Sequence, residues 1–200
     1  LQQQRCIRYC QVDTSSGAAV RSALADFCRT SNIPCVDILV NNTGISRVKP
    51  FLELTEADWD DMFNTNVKSV FHCCQAVLPS MLAQGQGCII NIASELAYLG
   101  RAQFVHYTAS KGAIVSLTRS LAREFAPAIR VNGIAPGPCD TDMLRAEIAT
   151  PEQWEKEIDL PLRRVSRPDE IAMTAVFLAS RFATYYCGET LSPNGGSLMR

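Results

Sequence analysis

Short apolar runs alternate with longer amphipathic stretches along this 200-residue chain, and this alternation constrains the fold more than any other feature. Runs such as VDILV at 36–40 and CIINIA at 88–93 end in polar or turn-forming residues, as buried parallel strands do. The stretches between them have the spacing of amphipathic helices. The pattern predicts an α/β fold in three layers, in which a doubly wound parallel sheet has helices on both faces.

The individual elements follow from the same periodicities and from local start and stop signals. Strands are predicted at 5–12, 36–40, 88–93, 130–135 and 189–192. Helices are predicted at 17–30, 55–83, 104–126 and 167–180, with shorter helical segments between 141 and 160. Thr14 and Ser15 are candidate caps of the first helix, and the second begins with a capping-box pattern at Thr55 and is expected to break near Asn64–Asn66. No repeat or linker is present, so residues 1–200 are expected to form one domain.

Composition excludes several classes of function. The 19 basic and 20 acidic residues give a net charge of −1 and form no basic stripe, so nucleic acid is not an expected partner. No apolar run is long enough to cross a bilayer and no signal peptide is visible at Leu1, so we expect a cytoplasmic protein without membrane association. The nine cysteines include no CxxC pair, which predicts reduced, mostly buried thiols and no metal site.

Ser94, Tyr107 and Lys111 form the candidate catalytic group. Tyr107 and Lys111 are four residues apart, which places them one turn apart on one face of a helix. A lysine ammonium beside a phenol favours the phenolate, so we expect the pKa of Tyr107 to fall below about 10 and to suit acid–base catalysis. Ser94 follows a predicted parallel strand, at the edge where α/β sheets bind ligands. A Tyr and a Lys at this spacing are often mere neighbours on a helix, and the placement of Ser94 argues against that interpretation.

Together with three further segments, these residues resemble the short-chain dehydrogenase/reductase family, whose members have a Rossmann-type fold and an Asn-Ser-Tyr-Lys catalytic set. The segments are NNTG at 41–44, NTNVKSVF at 64–71 and PGPCDT at 136–141, and the likeness extends over nearly the whole chain. The stretches WDDMFNTNVKSVF and RPDEIAMTAVFLAS are most similar to those of 3-oxoacyl-[acyl-carrier-protein] reductases.

The resemblance implies a role for each catalytic residue. Tyr107 would exchange a proton with the substrate oxygen, Lys111 would lower the pKa of Tyr107 and hold the nicotinamide ribose, and Ser94 would bind the substrate oxygen. Asn66 would hold a water that links Lys111 to solvent; the alternative is an Asn that only kinks its helix. His106 is interpreted as a bystander, because adjacent residues on a helix do not share a face.

The resemblance also implies contacts with a cofactor, NAD or NADP. The implied cofactor-binding residues are Asp13, Asn41, Thr43, Gly44, Tyr107, Lys111, Pro136, Gly137, Cys139 and Thr141. Asp13 could instead cap a helix, and both roles are compatible. The choice between NAD and NADP stays open, because the residue that usually decides it ends a second strand for which this sequence has no counterpart.

One segment departs from the family pattern. A strand and a glycine-rich TGxxxGxG turn, which hold the cofactor pyrophosphate, would precede Asp13, but the twelve residues before it contain no such motif. We therefore expect a sheet that lacks the first strand–helix–strand unit. The strand at 36–40 would then have a bare apolar edge unless 5–12 moves to pair with it. We also expect these 200 residues alone not to form a stable active enzyme.

The expected function is hydride transfer between NAD or NADP and a carbonyl or secondary alcohol, most like that of a 3-oxoacyl-[acyl-carrier-protein] reductase acting on an acyl thioester. Two alternatives stay open: a sugar, polyol or other secondary-alcohol dehydrogenase with the same catalytic set, and a truncated scaffold without activity. A homotetramer is expected, because helices 55–83 and 104–126 carry more apolar positions than one sheet contact needs. Val115, Leu117 and Leu121 are the candidate interface residues.

Overall fold

The computed structural model describes residues 7–199, which contain a four-stranded parallel sheet. The strands are β1 (Ile38–Asn41), β2 (Gly87–Ile92), β3 (Ile129–Ile134) and β4 (Thr190–Leu191), and they lie in this order across the sheet. Ile89 in β2 pairs with Leu39 on one side and with Val131 on the other. Four of the predicted strands are thus present within one or two residues of their predicted bounds.

The described residues contain eight α-helices. They are α1 (Gly17–Ser31), α2 (Glu56–Phe63), α3 (Ser69–Gln84), α4 (Leu96–Leu99), α5 (Val105–Phe125), α6 (Asp142–Glu147), α7 (Pro151–Ile158) and α8 (Pro168–Ala179). Short 3-10 turns lie at Phe51–Glu53 and Arg181–Ala183. The predicted helices at 17–30, 104–126 and 167–180 are confirmed, and the segment 141–160 forms the two short helices α6 and α7.

The predicted break in the long second helix is a π-helical turn at Asn64–Lys68, between α2 and α3. The predicted capping box at the start of α2 is also present: Asp58 N donates to Thr55 Oγ1 at 3.2 Å, and Thr55 N donates to the Asp58 carboxylate at 2.9 Å. Asn66 lies inside the π-helical turn and is 1% exposed. Such turns interrupt the regular spacing of side chains and often occur at functional sites.

The core lies on both faces of the sheet. On one face, Ile89 and Val131 pack in a cluster that includes Met81 of α3 and Ile114 of α5. On the opposite face, the cluster contains Ile90, Ile134 and Leu178 of α8. Successive strand residues point to opposite faces, so β2 and β3 each contribute to both clusters. This arrangement confirms the three-layer α/β/α fold.

The beginning of the described chain differs from the prediction. Residues 7–12 form no strand, and the rest of that predicted strand, residues 5 and 6, lies outside the described residues. Tyr9 in this segment is 93% exposed. A strand needs a neighbour to satisfy its backbone, and residues 7–12 do not pair with β1.

The cap of the first helix also differs. Ser16 caps α1 by accepting a hydrogen bond from Ala19 N at 3.4 Å. Ser15, one of the two predicted caps, instead donates from its N and its hydroxyl to the Asp13 carboxylate. The N-cap is the last extended residue before the helix, and here that residue is Ser16.

Strand β1 is less buried than its apolar sequence predicted. Ile38 and Val40 are 46% and 45% exposed, whereas Leu39 on the other face packs against the core. The reason is that α8, the helix on the exposed face, packs mainly against β2 and β3. The outer edge of β1 has no partner strand among residues 7–199.

The cysteines within the described residues are all free thiols. Cys35, Cys74 and Cys88 are buried, whereas Cys28, Cys73 and Cys139 are half-buried and Cys10 and Cys187 are exposed. The prediction that most thiols are buried is therefore wrong.

No helix in residues 7–199 has the length and apolar character needed to cross a membrane.

Candidate active site

A cavity of about 550 Å³ opens at the carboxyl ends of β1, β2 and β3. Its wall includes residues 42–46 after β1, residues 92–96 at the end of β2 and just after it, and residues 136–139 after β3. Parallel strands bring these three turns to one edge of the sheet, which is where open α/β folds bind ligands. Helix α5 adds Tyr107 and Lys111 to the same wall.

Tyr107 lies in the first turn of α5 and forms a hydrogen bond with Ser94 that lowers the pKa of the phenol. Burial has a larger, opposite effect, and the carboxylates of Glu147 and Glu95 add to it, so the pKa of Tyr107 is raised to about 12. The expected lowering of this pKa is therefore wrong for the protein alone. The physical reason is that burial removes water from around the phenolate and disfavours its charge.

Lys111 lies one turn further along α5 and is 5% exposed. Its Nζ is 5.8 Å from the centroid of the Tyr107 ring and donates to the Ile92 carbonyl oxygen at 2.9 Å. Burial lowers the pKa of Lys111 to about 8. The end of β2 thus holds the ammonium group beside the phenol, as the spacing of the two residues predicted.

Gly44 brings the loop after β1 close to Lys111 and Asn66. A Cβ at this position would lie 3.3 Å from Lys111 Nζ and 3.3 Å from Asn66 Oδ1, which is tighter than most real contacts. A larger residue would therefore push the loop away from the two side chains.

Asn66 lies beneath this loop and does not line the cavity. Its Oδ1 accepts from Ile45 N at 2.8 Å, and its Nδ2 donates to Ile45 O at 2.9 Å and to Ser110 Oγ at 3.0 Å. Both polar ends of the side chain are thus used to join the loop after β1 to helix α5. This geometry gives Asn66 a positioning role, and the water relay stays a prediction.

Most of the predicted cofactor contacts line the cavity: Thr43, Gly44, Tyr107, Lys111, Pro136, Gly137, Cys139 and Thr141. Asn41 and Asp13 do not. Asn41 is directed into the sheet, where its Nδ2 donates to Asn91 Oδ1 at 2.8 Å. Asp13 accepts hydrogen bonds from Ser15 in the turn before α1. Both residues therefore have local structural roles. The interpretation of Asp13 as a helix cap is wrong, because Ser16 caps α1 and the Asp13 carboxylate accepts from Ser15 in the turn before it.

The cavity wall suits the nicotinamide ribose of NAD or NADP. Lys111 Nζ donates to Ile92 O, and an ammonium group has two further N–H donors that ribose hydroxyls could accept. The Tyr107 phenol and the backbone of Gly44 border the same space. Within residues 7–199 there is no group of three His, Cys, Asp or Glu side chains that could hold a metal ion.

Charged side chains that the sequence analysis missed line the same cavity. Arg101 forms an ion pair with Glu157 of α7, and Glu95 accepts a hydrogen bond from the Ser197 hydroxyl. Burial raises the pKa of Glu95 and of Glu147. Glu95 directly follows Ser94, which is a signal that could have identified it. Arg101 and Glu157 are 56 residues apart, so no local pattern connects them.

Comparison with known proteins places this geometry in a family. A family model described as enoyl-(acyl carrier protein) reductase matches residues 1–197. The 3-oxoacyl-[acyl-carrier-protein] reductase FabG of Chlamydia pneumoniae is 37% identical over 198 residues, which cover 95% of this chain and 76% of that protein.

Two solved structures have the same fold. The gluconate 5-dehydrogenase of Burkholderia cenocepacia, in complex with NADP and tartrate, aligns with a TM-score of 0.85 and 35% identity, over 92% of this chain and 72% of that one. A short-chain dehydrogenase/reductase of Brucella melitensis, described as a glucose/ribitol dehydrogenase, aligns with a TM-score of 0.86 and 34% identity, over 100% and 78% of the two chains. The chain therefore belongs to the short-chain dehydrogenase/reductase family of NAD(P)-dependent oxidoreductases, which act on carbonyl and CH–OH groups.

Proposed function

We propose that this chain forms one catalytic domain that transfers hydride between NAD or NADP and the carbonyl or secondary-alcohol carbon of a small substrate. The observation that carries the proposal is the convergence of Ser94, Tyr107 and Lys111 on one cavity at the carboxyl edge of the sheet. The bound cofactor supplies or accepts the hydride. The side chains of the cavity bind the substrate oxygen and move its proton.

Tyr107 is the proposed acid–base residue. During reduction its hydroxyl gives a proton to the carbonyl oxygen, and during oxidation its phenolate accepts the proton of the alcohol. Because the pKa of Tyr107 is about 12 in the protein alone, other groups must stabilise its phenolate form. The Ser94 hydrogen bond and the ammonium group of Lys111 both favour it.

The other proposed contacts follow from the cavity wall. Lys111 would bind the nicotinamide ribose, and Ser94 would also donate to the substrate oxygen. The remaining proposed cofactor contacts in the wall are Thr43, Gly44, Pro136, Gly137, Cys139 and Thr141. Asn66 would keep the loop after β1 in place.

Two substrate classes are candidates. The relationship to a protein named 3-oxoacyl-[acyl-carrier-protein] reductase favours an acyl thioester. The charged wall formed by Glu95, Arg101, Glu147 and Glu157 favours a hydroxylated substrate, such as a sugar or polyol.

We also propose that the protein is a cytoplasmic homotetramer. Met173 and Val176 of α8 are 64% and 58% exposed, which supports an apolar contact between copies. The residues first considered for that contact are partly covered within the chain itself. Val115 belongs to the core, and Leu117 and Leu121 pack against it. The free thiols support a reducing compartment.

The test is an assay of the full chain that follows the absorbance of the reduced nicotinamide. NADH and NADPH would be supplied at millimolar concentration with a 3-oxoacyl thioester, and the oxidised cofactors with a polyol or a simple secondary alcohol. We expect turnover of at least one substrate and none by the Tyr107→Phe variant. Turnover by these 200 residues would show that the sequence-based expectation of an inactive chain is wrong. Absence of both turnover and cofactor binding would support the scaffold alternative and contradict the proposal.

A further inference from the structure

A series of hydrogen bonds runs from the interior of the sheet into helix α5. Asn41 Nδ2 donates to Asn91 Oδ1 at 2.8 Å, and Asn91 Nδ2 donates to Thr118 Oγ1 at 2.9 Å. The Thr118 hydroxyl in turn donates to the carbonyl oxygen of Ile114 at 2.8 Å. Asn91 and Thr118 are fully buried, and Asn41 is nearly so. Such a network holds its members in one arrangement, because a buried polar group that loses its partner is costly.

Asn91 connects this network to the strand that leads to the catalytic serine. It lies in β2, which ends at Ile92, two residues before Ser94. Asn41 is its direct neighbour in the parallel pairing of β1 with β2. Because the Asn91 oxygen accepts from Asn41, the amide nitrogen of the same side chain is directed at Thr118 on α5. The network thus joins the ends of two strands to the helix that carries the catalytic pair.

Thr118 lies on the same face of α5 as Lys111. The two residues are seven apart, which is two helical turns. Lys111 Nζ donates to the carbonyl oxygen of Ile92, the residue that follows Asn91. Strand β2 therefore holds α5 by hydrogen bonds at two points on one helix face. Two such points oppose both sliding and rotation of the helix, since a shift by one residue would move a side chain by about 1.5 Å along the axis and about 100° around it.

We propose that Asn91 and Thr118 are positioning residues for the catalytic reaction. Their hydrogen bond fixes α5 against β2, and this placement brings Tyr107 and Lys111 to Ser94 at the cavity. The inference rests on the proposed hydride transfer. Neither Asn91 nor Thr118 lines the cavity, so both act through the helix and not on the substrate. The alternative is a role in core packing alone, in which loss of the hydroxyl would lower stability and leave catalysis unchanged.

The kinetic test uses variants that differ in one hydroxyl. Thr118→Val replaces the hydroxyl with a methyl group and leaves Asn91 Nδ2 without its acceptor, whereas Thr118→Ser keeps the acceptor. We expect Thr118→Val to lower kcat by at least about tenfold, because small displacements of catalytic groups are costly, and to change the substrate KM by less than about twofold. Thr118→Ser should retain most of the activity.

The control separates positioning from stability. Ile129 is fully buried and lies at the opposite end of β3 from the cavity. Ile129→Val removes one buried carbon from the core, so it should lower the thermal unfolding midpoint without lowering kcat. Thr118→Ala also lacks the hydroxyl, and its kinetics decide the matter if Thr118→Val does not fold.

A ligand-free measurement tests the same hydrogen bond without turnover. Backbone amides at 109–115 in α5 should exchange hydrogen at least about tenfold faster in Thr118→Val than in wild type and in Ile129→Val. Equal exchange in the three proteins would overturn the inference. Wild-type kcat in Thr118→Val, together with an inactive Tyr107→Phe variant, would also overturn it and would leave the proposed hydride transfer intact. Full activity of Tyr107→Phe would instead contradict the proposed function.

Discussion

Tyr107 and Lys111 both have pKa values that burial shifts against the charged form. The pKa of Tyr107 is raised to about 12 and that of Lys111 is lowered to about 8. The pair is therefore less ionised than the same two groups in water. Acid–base work by Tyr107 requires groups that oppose burial, and Ser94 is the one whose hydrogen bond to the phenol lowers its pKa here.

Tyr107→Phe removes the proton donor and leaves the ring in place. We expect kcat to fall by at least about a hundredfold, because a positioned acid–base group contributes that much. The thermal unfolding midpoint should change little, because the ring contact with Phe104 is kept. Steady-state kinetics and calorimetry of the variant check both expectations. Retention of more than a tenth of the wild-type kcat would contradict the role of Tyr107.

Lys111→Met should reduce both turnover and cofactor affinity. The reason is that Lys111 supplies the charge that favours the phenolate and the N–H donors proposed for the ribose. Cofactor affinity is measured by calorimetric titration, and turnover in the same preparation. Unchanged cofactor affinity in the variant would show that the ribose contact is wrong.

His106 should make stability depend on pH. The side chain is 1% exposed, and neither ring nitrogen has a hydrogen-bond partner among the described residues. Burial lowers its pKa below 6.5; Asp58 opposes this effect, and Arg47 and Lys49 add to it. The folded protein then binds fewer protons than the unfolded chain, so the free energy of unfolding should decrease as the pH falls below about 6.5.

The measurement compares thermal unfolding of wild type and His106→Phe over a series of pH values. The midpoint of the wild type should fall more steeply than that of the variant below about pH 6.5. Both proteins contain the same other titrating groups, so the difference between their curves reports His106. These groups include Glu95 and Glu147, whose raised pKa values make the fold more stable as the pH falls. Parallel curves for the two proteins would rule out this role of His106.

In the connection between β1 and β2, the features that the sequence predicted depend only on residues close to each other along the chain. The capping box at Thr55 and the interruption near Asn66 were both predicted, since each depends on residues within about one helical turn. The turn after β3, in contrast, depends on residues far away along the chain. It is held by the loop near the end of the chain, where Gly137 N donates to Pro193 O at 3.1 Å.

Gly137→Ala should destabilise this turn. A Cβ there would lie 2.7 Å from Asn194 Cα, so backbone would have to move. We expect the free energy of unfolding to fall by about 1–3 kcal/mol, as in other overpacked sites. Gly112→Ala is the matched control, because a Cβ there meets nothing within 4 Å and α5 should gain about 0.5–1 kcal/mol from alanine. Denaturant unfolding measures both, and equal stability of Gly137→Ala and wild type would argue against a tight contact.

The sheet as a whole is covered unevenly. Helices α3 and α5 pack on one face, whereas α8 covers only part of the other. Ile38 and Val40 therefore stay almost half exposed on β1. An apolar strand with an open edge is a surface through which chains associate.

Ile38→Thr combined with Val40→Thr should reduce association of the protein. Threonine keeps the strand propensity of a β-branched residue while making the surface polar. We expect sedimentation velocity to show larger species for the wild type as the concentration rises, and fewer of them for the double variant. Val48→Thr, which changes another exposed apolar residue, is the control. If the double variant and the control behave like the wild type, association does not involve β1.

Most of the fold, and the meeting of Ser94, Tyr107 and Lys111 at one cavity, were predictable from the sequence. Helix periodicity, apolar strand runs and capping residues depend on neighbours along the chain, which the sequence displays directly. The same holds for Tyr107 and Lys111, because their separation by one helical turn is a property of α5 alone. Ser94 was found because it follows a strand whose apolar run is continuous.

The tertiary structure alone decided the properties that depend on distant residues. The ion pair of Arg101 with Glu157, the use of Asn41 inside the sheet and the exposure of Val40 all follow from how the elements pack. The direction of the Tyr107 pKa shift is of the same kind. The sequence determined that a phenol and an ammonium group share one face of a helix. Only the folded structure determined how much water surrounds them, and here the loss of water outweighs the Ser94 hydrogen bond that favours the phenolate.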